Sequence, residues 1–509
     1  MITEHDAIIV GGGHNGLVAA CYLAKAGKKV ILLEKKSEFG GATKSSYTFP
    51  GVAAKLSRYS YLVALLPEKI IKDLELRFET LSRNVSSYTP YNQSGVIVNR
   101  IFDDISARSI DEVAGFVGES KSWQAFYDRI GQVARLLAPT LLEPLKEESE
   151  IKSLLGEELW GEFVEQPLAH TLNHHFKSDL IKGIVLTDGL IGTFASAEEQ
   201  LANICFLYHL IGNGIGEWKV PKGGMGALVS SLVARAEALG VELRTGVEVE
   251  RIESGSNGVI VESSKGETFK SKLTIAGCSP KRLEKLSGIK ATTGRDGCQM
   301  KINMVLSRLP RLKSGIDPKL AFAGTFHIDE NYEQLEAAYQ QAKSGRIPDV
   351  IPAEMYCHTL TDPSILSDEM QAAGNHTLTL FALHTPATLF DRDHDRVKAE
   401  VTTRILRGLN NYLVEPIEPL LLKDQHGHPC IEVKTPQELE VELDLPRGNI
   451  FHGDLSFPWQ SEGEHLRWGV ETTDERILIA GAGSKRGGGV SGIGGHNAAM
   501  AALERIQKS

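Results

Sequence analysis

A glycine-rich loop near the N-terminus constrains the fold of this chain more than any other feature. Residues 7–10 form a short apolar run typical of a buried parallel strand, and Gly11, Gly13 and Gly16 follow as G-x-G-x-x-G. The first glycine permits a tight turn, the second lets backbone approach a pyrophosphate, and the third lets the next helix pack closely on the strand. Apolar residues over 17–24 predict that helix, and Gly27 predicts its end.

The strand after this helix ends in an acid. Residues 29–34 read KVILLE and end at Glu34, 18 residues beyond Gly16. A carboxylate there can accept two hydrogen bonds from a ribose diol, and the helix N-terminus offers free N–H groups to a diphosphate. Strand, loop, helix, strand and acid together predict an α/β, Rossmann-like dinucleotide-binding domain. The alternative is a glycine-rich turn that holds no ligand.

A second glycine pair bears on which dinucleotide is bound. Gly40 and Gly41 follow Glu34 within the segment EKKSEFGGATKSSYTFPG. A nicotinamide dehydrogenase does not need this pair, whereas a long dinucleotide extended over the sheet edge requires backbone close to it, which favours FAD. The later segment ILIAGAG could start a second dinucleotide fold, but only 26 residues follow Gly483. A βαβ unit needs about 30 or more, so we expect this segment to close the first domain.

These motifs resemble the N-terminal signature of the FAD-dependent amine oxidase and phytoene desaturase superfamily. The stretches GHNGLVAA, LSRYSYLVALL, PKGGMGAL and GNIFH are more similar to the branch that contains pyridine nucleotide-disulfide oxidoreductase domain-containing protein 2. The resemblance runs from about residue 6 to about residue 503, and its glycine motifs are specific to the superfamily rather than to a substrate. It implies a discontinuous FAD-binding domain from residues 1–74, 216–289 and 441–509, and an interleaved α+β substrate-binding domain from residues 75–215 and 290–440.

The residues expected to bind FAD come from all three segments of that domain. They are Gly11, Gly13, His14, Asn15, Gly16, Glu34, Lys35, Gly40, Gly41, Ala42, Val247, Gly481, Gly483, Gly489 and Val490. The resemblance places backbone near Val247 against adenine, and the glycines of residues 481–492 against the flavin and pyrophosphate. Ala42 stands where many amine oxidases have arginine, which favours the desaturase-like branch. Some relatives in this superfamily link the flavin covalently to a cysteine of the C-terminal segment; since no cysteine follows Cys430, the resemblance implies non-covalent FAD.

Candidate catalytic side chains come from two short stretches. Arg58 and Tyr59 in LSRYSY come just after the FAD entry segment, and the resemblance places this region near the isoalloxazine. Arg58 would there hold an anionic group, hold the flavin or form a structural ion pair. His452 and Asp454 in NIFHGDLS are candidate proton acceptors, and a buried histidine with a packing role is the alternative for His452. Many flavin amine oxidases keep a lysine close to the flavin, but Lys222 is better explained as a solvent-exposed turn residue.

The combined prediction is an FAD-dependent oxidoreductase similar to phytoene desaturases. It would transfer a hydride between a C–C or C–N bond of a small, lipophilic substrate and FAD, with oxygen, a quinone or another acceptor reoxidising the cofactor. A flavin amine oxidase is the alternative in the same fold. A non-catalytic FAD-binding regulatory or escort-type protein is the alternative of a different class. Apolar stretches such as ICFLYHLIG predict core packing, or else a substrate tunnel or a patch for peripheral membrane contact.

Net charge, residue spacing and composition argue against nucleic acid, metal ions and a membrane span. A net charge of −10 without a strongly basic cluster argues against nucleic acid. The histidine pairs at residues 174–175 and at residues 426 and 428 lack further ligands at recognised spacings, so no metal is predicted. The six cysteines are widely scattered, which predicts reduced thiols and no disulfide framework. The sequence contains no run of 18 apolar residues, so no membrane-spanning helix is predicted. We expect a cytoplasmic protein of bacterial type, and the resemblance implies the mitochondrial matrix as the alternative.

Overall fold

The computed structural model describes residues 4–63, 65–212, 218–292 and 294–508. The strands are β1 (Glu4–Val10), β2 (Val30–Glu34), β3 (Ser45–Tyr47), β4 (Lys55–Ser57), β5 (Thr80–Ser82), β6 (Val85–Tyr91), β7 (Ser94–Asn99), β8 (Lys219–Pro221), β9 (Glu242–Thr245), β10 (Val249–Gly255), β11 (Gly258–Ser263), β12 (Thr268–Ala276), β13 (Met300–Leu306), β14 (Thr325–Ile328), β15 (Ala353–Tyr356), β16 (His376–Ala382), β17 (Ile431–Lys434) and β18 (Ile477–Ile479).

The α-helices alternate with these strands along the chain. They are α1 (His14–Lys25), α2 (Glu68–Asp73), α3 (Asp104–Ala114), α4 (Glu119–Leu137), α5 (Glu148–Trp160), α6 (Leu168–His175), α7 (Asp179–Thr187), α8 (Gln200–Ile211), α9 (Gly226–Ala238), α10 (Pro280–Ser287), α11 (Pro318–Ala321), α12 (Tyr332–Lys343), α13 (His358–Thr361), α14 (Asp368–Ala372), α15 (His394–Asn410), α16 (Pro436–Leu443) and α17 (Ile493–Lys508). Short 3₁₀ segments occupy Ala138–Leu142, Pro363–Ile365, Ala387–Phe390, Glu418–Leu420 and Pro446–Gly448, and a π-turn occupies Gly161–Glu165.

The first sheet carries the glycine-rich loop and has the order β10-β11-β12-β1-β2-β9. Strand β1 runs parallel to β2 and β12, and β9 and β18 add further parallel pairs. Both faces of β1 are buried: Ile9 packs with α1, α9 and α17, whereas Ile8 packs with β11, β12 and α10. Burial on both faces explains why this strand is apolar at consecutive positions.

Residues 241–253 form two strands, as their alternation predicts, but the two strands do not pair with each other. Strand β9 pairs with β2 at one edge of the first sheet, and β10 pairs with β11 at the other edge. The alternation therefore indicates two strands but does not specify their partners, because alternation reports burial of one face.

The second sheet has the order β17-β13-β16-β15-β14-β6-β7 and is mostly antiparallel. Helices α3 to α8 pack together around a separate apolar core that includes Phe126, Phe163 and Phe206. The mixed α/β fold class is confirmed. The predicted domain boundary at residues 215 and 216 lies outside the described residues, and the division into two domains stays a prediction. None of the helices described is both long enough and apolar enough to cross a membrane.

Candidate functional site

The predicted dinucleotide loop forms between β1 and α1. Gly11 has a φ of +106°, which favours glycine, and a Cβ on Gly16 would lie 2.2 Å from the carbonyl oxygen of Gly11. A Cβ on Gly13 would meet no atom within 4 Å, so this residue leaves open space beside the loop. Gly13 caps α1 without any side-chain hydrogen bond, which leaves the helix N-terminus available to an anion.

Glu34 lies at the end of β2 and is buried. Its Oε2 accepts a hydrogen bond from the backbone N–H of Gly12 at 2.7 Å, and its Oε1 accepts one from the backbone N–H of Lys36 at 2.9 Å. Each carboxylate oxygen has a second lone pair, so the group can still receive the two hydroxyls of a ribose. The backbone therefore fixes this carboxylate beside the loop.

Replacing Glu34 with alanine is expected to weaken FAD binding by about 1–3 kcal/mol, which is roughly 5- to 150-fold in Kd, because ribose hydroxyls would lose a buried acceptor. The measurement is a titration of the apoprotein with FAD, in which binding is monitored by the change in flavin fluorescence. Glu38→Ala is the matched control, since Glu38 is 61% exposed and pairs with Lys44. Equal FAD affinity in the two variants would show that the ribose is held elsewhere.

The second glycine pair packs directly on the loop. The backbone N–H of Gly40 donates to the carbonyl of Gly12 at 2.8 Å, and φ is positive at both Gly40 and Gly41. Gly41 and Ala42 line the large cavity beside the loop. Gly40 does not line it, and a Cβ on Gly40 would lie 3.3 Å from a methyl carbon of Val229. Glycine is favoured at both positions because the backbone has a positive φ there and lies directly against the first loop.

Other parts of the cavity lining come from distant segments of the chain. The backbone N–H of Val247 donates to the carbonyl of Glu34 at 2.9 Å, which brings the β9–β10 connection next to the acid. Gly481, Gly489 and Val490 also line the cavity. Gly483 does not: its Cα packs against Pro280, where a Cβ would lie 2.5 Å from a ring carbon.

The cavity has an empty volume of about 2080 Å³, including its open mouth. Among the expected FAD-binding residues, its lining includes Gly11, Gly13, His14, Asn15, Glu34, Lys35, Gly41, Ala42, Val247, Gly481, Gly489 and Val490. Gly16, Gly40 and Gly483 lie behind this lining and shape the backbone.

Several residues that line the cavity have a buried polar atom without a hydrogen-bond partner among the described residues. These atoms are Asn15 Oδ1, Tyr208 Oη, Gln299 Nε2 and His452 Nδ1. Buried polar atoms are normally hydrogen-bonded, so these atoms indicate a polar ligand. Together with the open helix N-terminus and the fixed carboxylate, they fit a dinucleotide with a polar ring system. No group of three or more His, Cys, Asp or Glu side chains in the described ranges is arranged to hold a metal ion.

The four candidate catalytic residues occupy different environments. Arg58 does not line the cavity, because its guanidinium forms an ion pair with Glu432. Tyr59 lines the cavity, and its hydroxyl donates to Glu442 at 2.7 Å. His452 also lines the cavity, has a positive φ of 63°, and has a pKa lowered to about 4 by burial.

Asp454, the fourth candidate, lies at the surface away from the cavity lining. Its Oδ1 accepts a hydrogen bond from the backbone N–H of Arg295 at 2.8 Å, and its side chain is 42% exposed. Lys222, too, is exposed, and it pairs with Glu79 at 2.9 Å. The geometry gives Arg58 and Asp454 structural partners and leaves Tyr59 and His452 facing the cavity.

No sequence pattern predicts Lys301 as a site residue, although it lies near the start of β13 and lines the cavity. It is 2% exposed; its Nζ donates to the carbonyl of Ser57 at 3.3 Å and lies 4.8 Å from the centre of the Phe381 ring. Burial lowers the pKa of Lys301 to about 7. An amine in this state can accept or release a proton near neutral pH. No local motif marks it, because Phe381 and Ser57 come from distant strands.

Comparison with known proteins places this arrangement in a family. Residues 16–490 match the family described as flavin containing amine oxidoreductase. This chain belongs to that family. An uncharacterized protein of Mycobacterium tuberculosis is 43% identical over 98% of this chain and 97% of its own length. The pyridine nucleotide-disulfide oxidoreductase domain-containing protein 2 of Rattus norvegicus is 28% identical over 97% of this chain and 93% of its own length.

Two further relatives connect the family to known activities and to a solved fold. A carotenoid 3,4-desaturase of Haloarcula japonica is 28% identical over 52% of this chain and 54% of its own length. The structure of a redesigned putrescine oxidase has a TM-score of 0.59 at 15% identity, covering 99% of both chains, and so shares the fold. The predicted superfamily and branch are confirmed. The chain is an FAD-dependent oxidoreductase of the amine oxidase superfamily, with FAD as cofactor and a small molecule as substrate.

Proposed function

We propose that this oxidoreductase removes a hydride from a C–C or C–N bond of a small substrate with an apolar body, as a phytoene desaturase-like dehydrogenase. One observation carries the proposal: the cavity beside the dinucleotide loop also contains an apolar and aromatic region around the desolvated amine of Lys301. The apolar and aromatic lining includes Tyr61, Leu62, Leu65, Ile191, Phe381, Ile450 and Phe451. Such a lining holds a hydrocarbon body and excludes water from the reacting bond.

FAD, non-covalently bound in the cradle formed by the loop, Glu34, Gly41 and Gly489, would supply the two-electron acceptor. The chain's own residues position the substrate and handle the proton. Loss of a hydride from one atom leaves a proton to be removed from the neighbouring carbon or nitrogen. The neutral amine of Lys301 accepts that proton and becomes an ammonium, while the aromatic faces of Tyr61 and Phe381 stabilise the new charge. Tyr59 and His452 are further candidates because they face the same cavity.

The same arrangement bears on amine oxidation, the second candidate. A protonated amine substrate would meet Lys301 as a like charge below pH 7, where Lys301 is itself protonated. Amine oxidation therefore requires the substrate amine as well as Lys301 to be neutral, whereas dehydrogenation of a C–C bond requires only that Lys301 be neutral. This additional requirement favours a C–C bond as the site of oxidation.

Anaerobic reduction of the purified protein tests the proposal. Flavin bands near about 370 and 450 nm, which belong to the cofactor, should survive gel filtration. We expect a polyene precursor with saturated C–C bonds to bleach the longer-wavelength band faster than an amine or NADPH does. Bleaching by an amine alone would replace the proposal with amine oxidation. Bleaching by NADPH alone would contradict it and indicate a reductase, with chemical reduction by dithionite as the positive control.

A further inference from the structure

A second cavity adjoins the cavity beside the dinucleotide loop. It has an empty volume of about 1840 Å³, including its open mouth. Leu65 and Tyr208 line both cavities, so these two side chains form part of the wall between them. None of the described residues that are expected to bind FAD lines the second cavity, so the cofactor does not account for this space.

The glycine-rich segment that precedes α17 also separates the two cavities. Gly489 lines the first cavity, whereas Gly487 and Ser491 line the second. A Cβ on Gly489 would lie 2.3 Å from the hydroxyl oxygen of Tyr208 and 3.3 Å from a methyl carbon of Leu65, so these two side chains meet over this glycine. At this point the wall consists of one stretch of backbone and the side chains of Tyr208 and Leu65.

Tyr208 is held in this wall by ring contacts. Its buried Oη has no hydrogen-bond partner among the described residues, and its ring packs edge-on against Phe451 with the ring centres 5.2 Å apart. Phe451 and Leu65 belong to the apolar region of the first cavity, in which the proposed function places the substrate. Rotation of the Tyr208 side chain therefore breaks no hydrogen bond to the described chain, and it joins this apolar region to the second cavity.

One face of α8 gives the second cavity an apolar side. Ile204, Leu207, Tyr208 and Ile211 recur at steps of three and four residues, and all four line the cavity. Apolar side chains from other segments complete this lining, among them Leu141, Leu142, Leu455 and Ile493. A helical stripe of this kind offers a hydrocarbon chain an extended surface along the helix.

The charged side chains of the second cavity have partners within the chain or lie at the surface. The ion pairs are Lys69 with Asp73, Glu68 with Lys72, Glu143 with Lys146, and Lys485 with Glu464. Arg486 donates to the backbone carbonyls of Thr140, Glu143 and Trp468, and Arg135 is exposed. Because the inner charges are compensated, this lining favours a neutral hydrocarbon over a charged ligand.

We infer that the second cavity extends the substrate site, and that Tyr208 separates the region where the substrate reacts from a region where it is only bound. This inference rests on the proposed function, because it takes the apolar region of the first cavity as the place of the oxidised bond. The substrate class is then an elongated, uncharged hydrocarbon chain that passes Tyr208. Its reacting bond lies in the first cavity with Lys301, and its far end lies along α8.

Binding of unbranched primary alcohols to the FAD-loaded protein tests the inference. Equilibrium dialysis with radiolabelled hexanol, octanol, decanol, dodecanol and tetradecanol measures each affinity, which we expect to rise through the whole series by about fourfold per methylene group. Ile204→Trp fills the second cavity only, so hexanol should bind as in the wild type and tetradecanol at least tenfold more weakly. Tyr208→Ala removes the separating ring and should tighten the binding of tetradecanol. The matched control Leu154→Trp, at an exposed position that lines neither cavity, should change no affinity.

The wild-type series does not depend on any variant folding correctly, and an affinity that stops rising at octanol would overturn the inference. Undiminished binding of tetradecanol by a folded, FAD-loaded Ile204→Trp protein would do the same. Equal weakening of hexanol and tetradecanol in that variant would also overturn it, since the second cavity would then be a separate site. Leu455→Trp fills the same cavity from another segment and replaces Ile204→Trp if that variant does not fold. Failure of the proposed function is separately visible as absence of substrate-driven flavin bleaching in a protein that keeps this dependence on chain length.

Discussion

Replacing Lys301 with methionine is expected to lower kcat by roughly 10²- to 10⁴-fold, the range typical of a lost general base. Methionine has similar length and no titratable group, so it fills the same space beside Phe381 and Tyr61. Wild-type activity should rise with pH through about 7, because Lys301 accepts a proton only in its neutral form. In the variant this rise should disappear. The measurement is the pH dependence of anaerobic flavin reduction under single-turnover conditions.

The matched control for this prediction is Lys222→Met. Lys222 is exposed and pairs with Glu79 at the surface, so its replacement should leave both the rate and the pH profile unchanged. Retention of FAD and an unaltered flavin spectrum in Lys301→Met would exclude a general loss of structure. If that variant reduced its flavin at the wild-type rate with the same pH profile, the proton would have to go to another group, and His452 would be the next to test.

Adding one methyl group at Gly16 is expected to abolish stable FAD binding. The new Cβ would lie 2.2 Å from the carbonyl oxygen of Gly11, and both partners are backbone, so β1 and α1 would have to separate. Overpacking of this kind costs about 1–3 kcal/mol of folding stability, and the displaced loop loses its geometry for the pyrophosphate. The measurement is the FAD-to-protein ratio after gel filtration together with the thermal midpoint.

Two further alanine variants separate the effect on folding from the effect on the ligand. A Cβ on Gly13 meets no atom within 4 Å and Gly13 lines the cavity, so Gly13→Ala should reduce FAD affinity without lowering the stability of the apoprotein. A Cβ on Gly255 in β10 also meets no atom within 4 Å, and Gly255→Ala should change neither property. Normal FAD content in Gly16→Ala would contradict the tight packing of loop and helix.

The sequence predicts the strand–loop–helix–strand geometry around the glycine-rich loop because its determinants are local. The spacing of Gly11, Gly13 and Gly16 and the acid at position 34 are set by one strand–helix–strand unit, so a short stretch contains the whole pattern. Family membership then follows from glycine motifs with the same local character.

The chemistry of the cavity beside the loop is harder to predict from the sequence, because it depends on burial by distant segments. Lys301 resembles any strand lysine in sequence, and it becomes a titratable base only where the strand carrying Phe381 and the segment carrying Ser57 enclose it. Arg58 is a candidate site residue from its sequence position. In the structure it forms an ion pair with Glu432, which lies 374 residues away in the chain, and no local pattern indicates that pairing. Side-chain environment is a tertiary property, and periodicity does not encode it.

The strands of the parallel sheet come from distant parts of the chain and are therefore synthesised at different times. Strands β1 and β2 are synthesised long before β12, and β18 and the cavity-lining glycines Gly481 and Gly489 follow later still. Helix α17, which comes after them, packs against α1. Domains of high contact order fold slowly because distant segments must meet before their contacts form. The complete cavity therefore forms only when the segment that follows β18 has joined the sheet, and FAD would stabilise that final arrangement because it binds there.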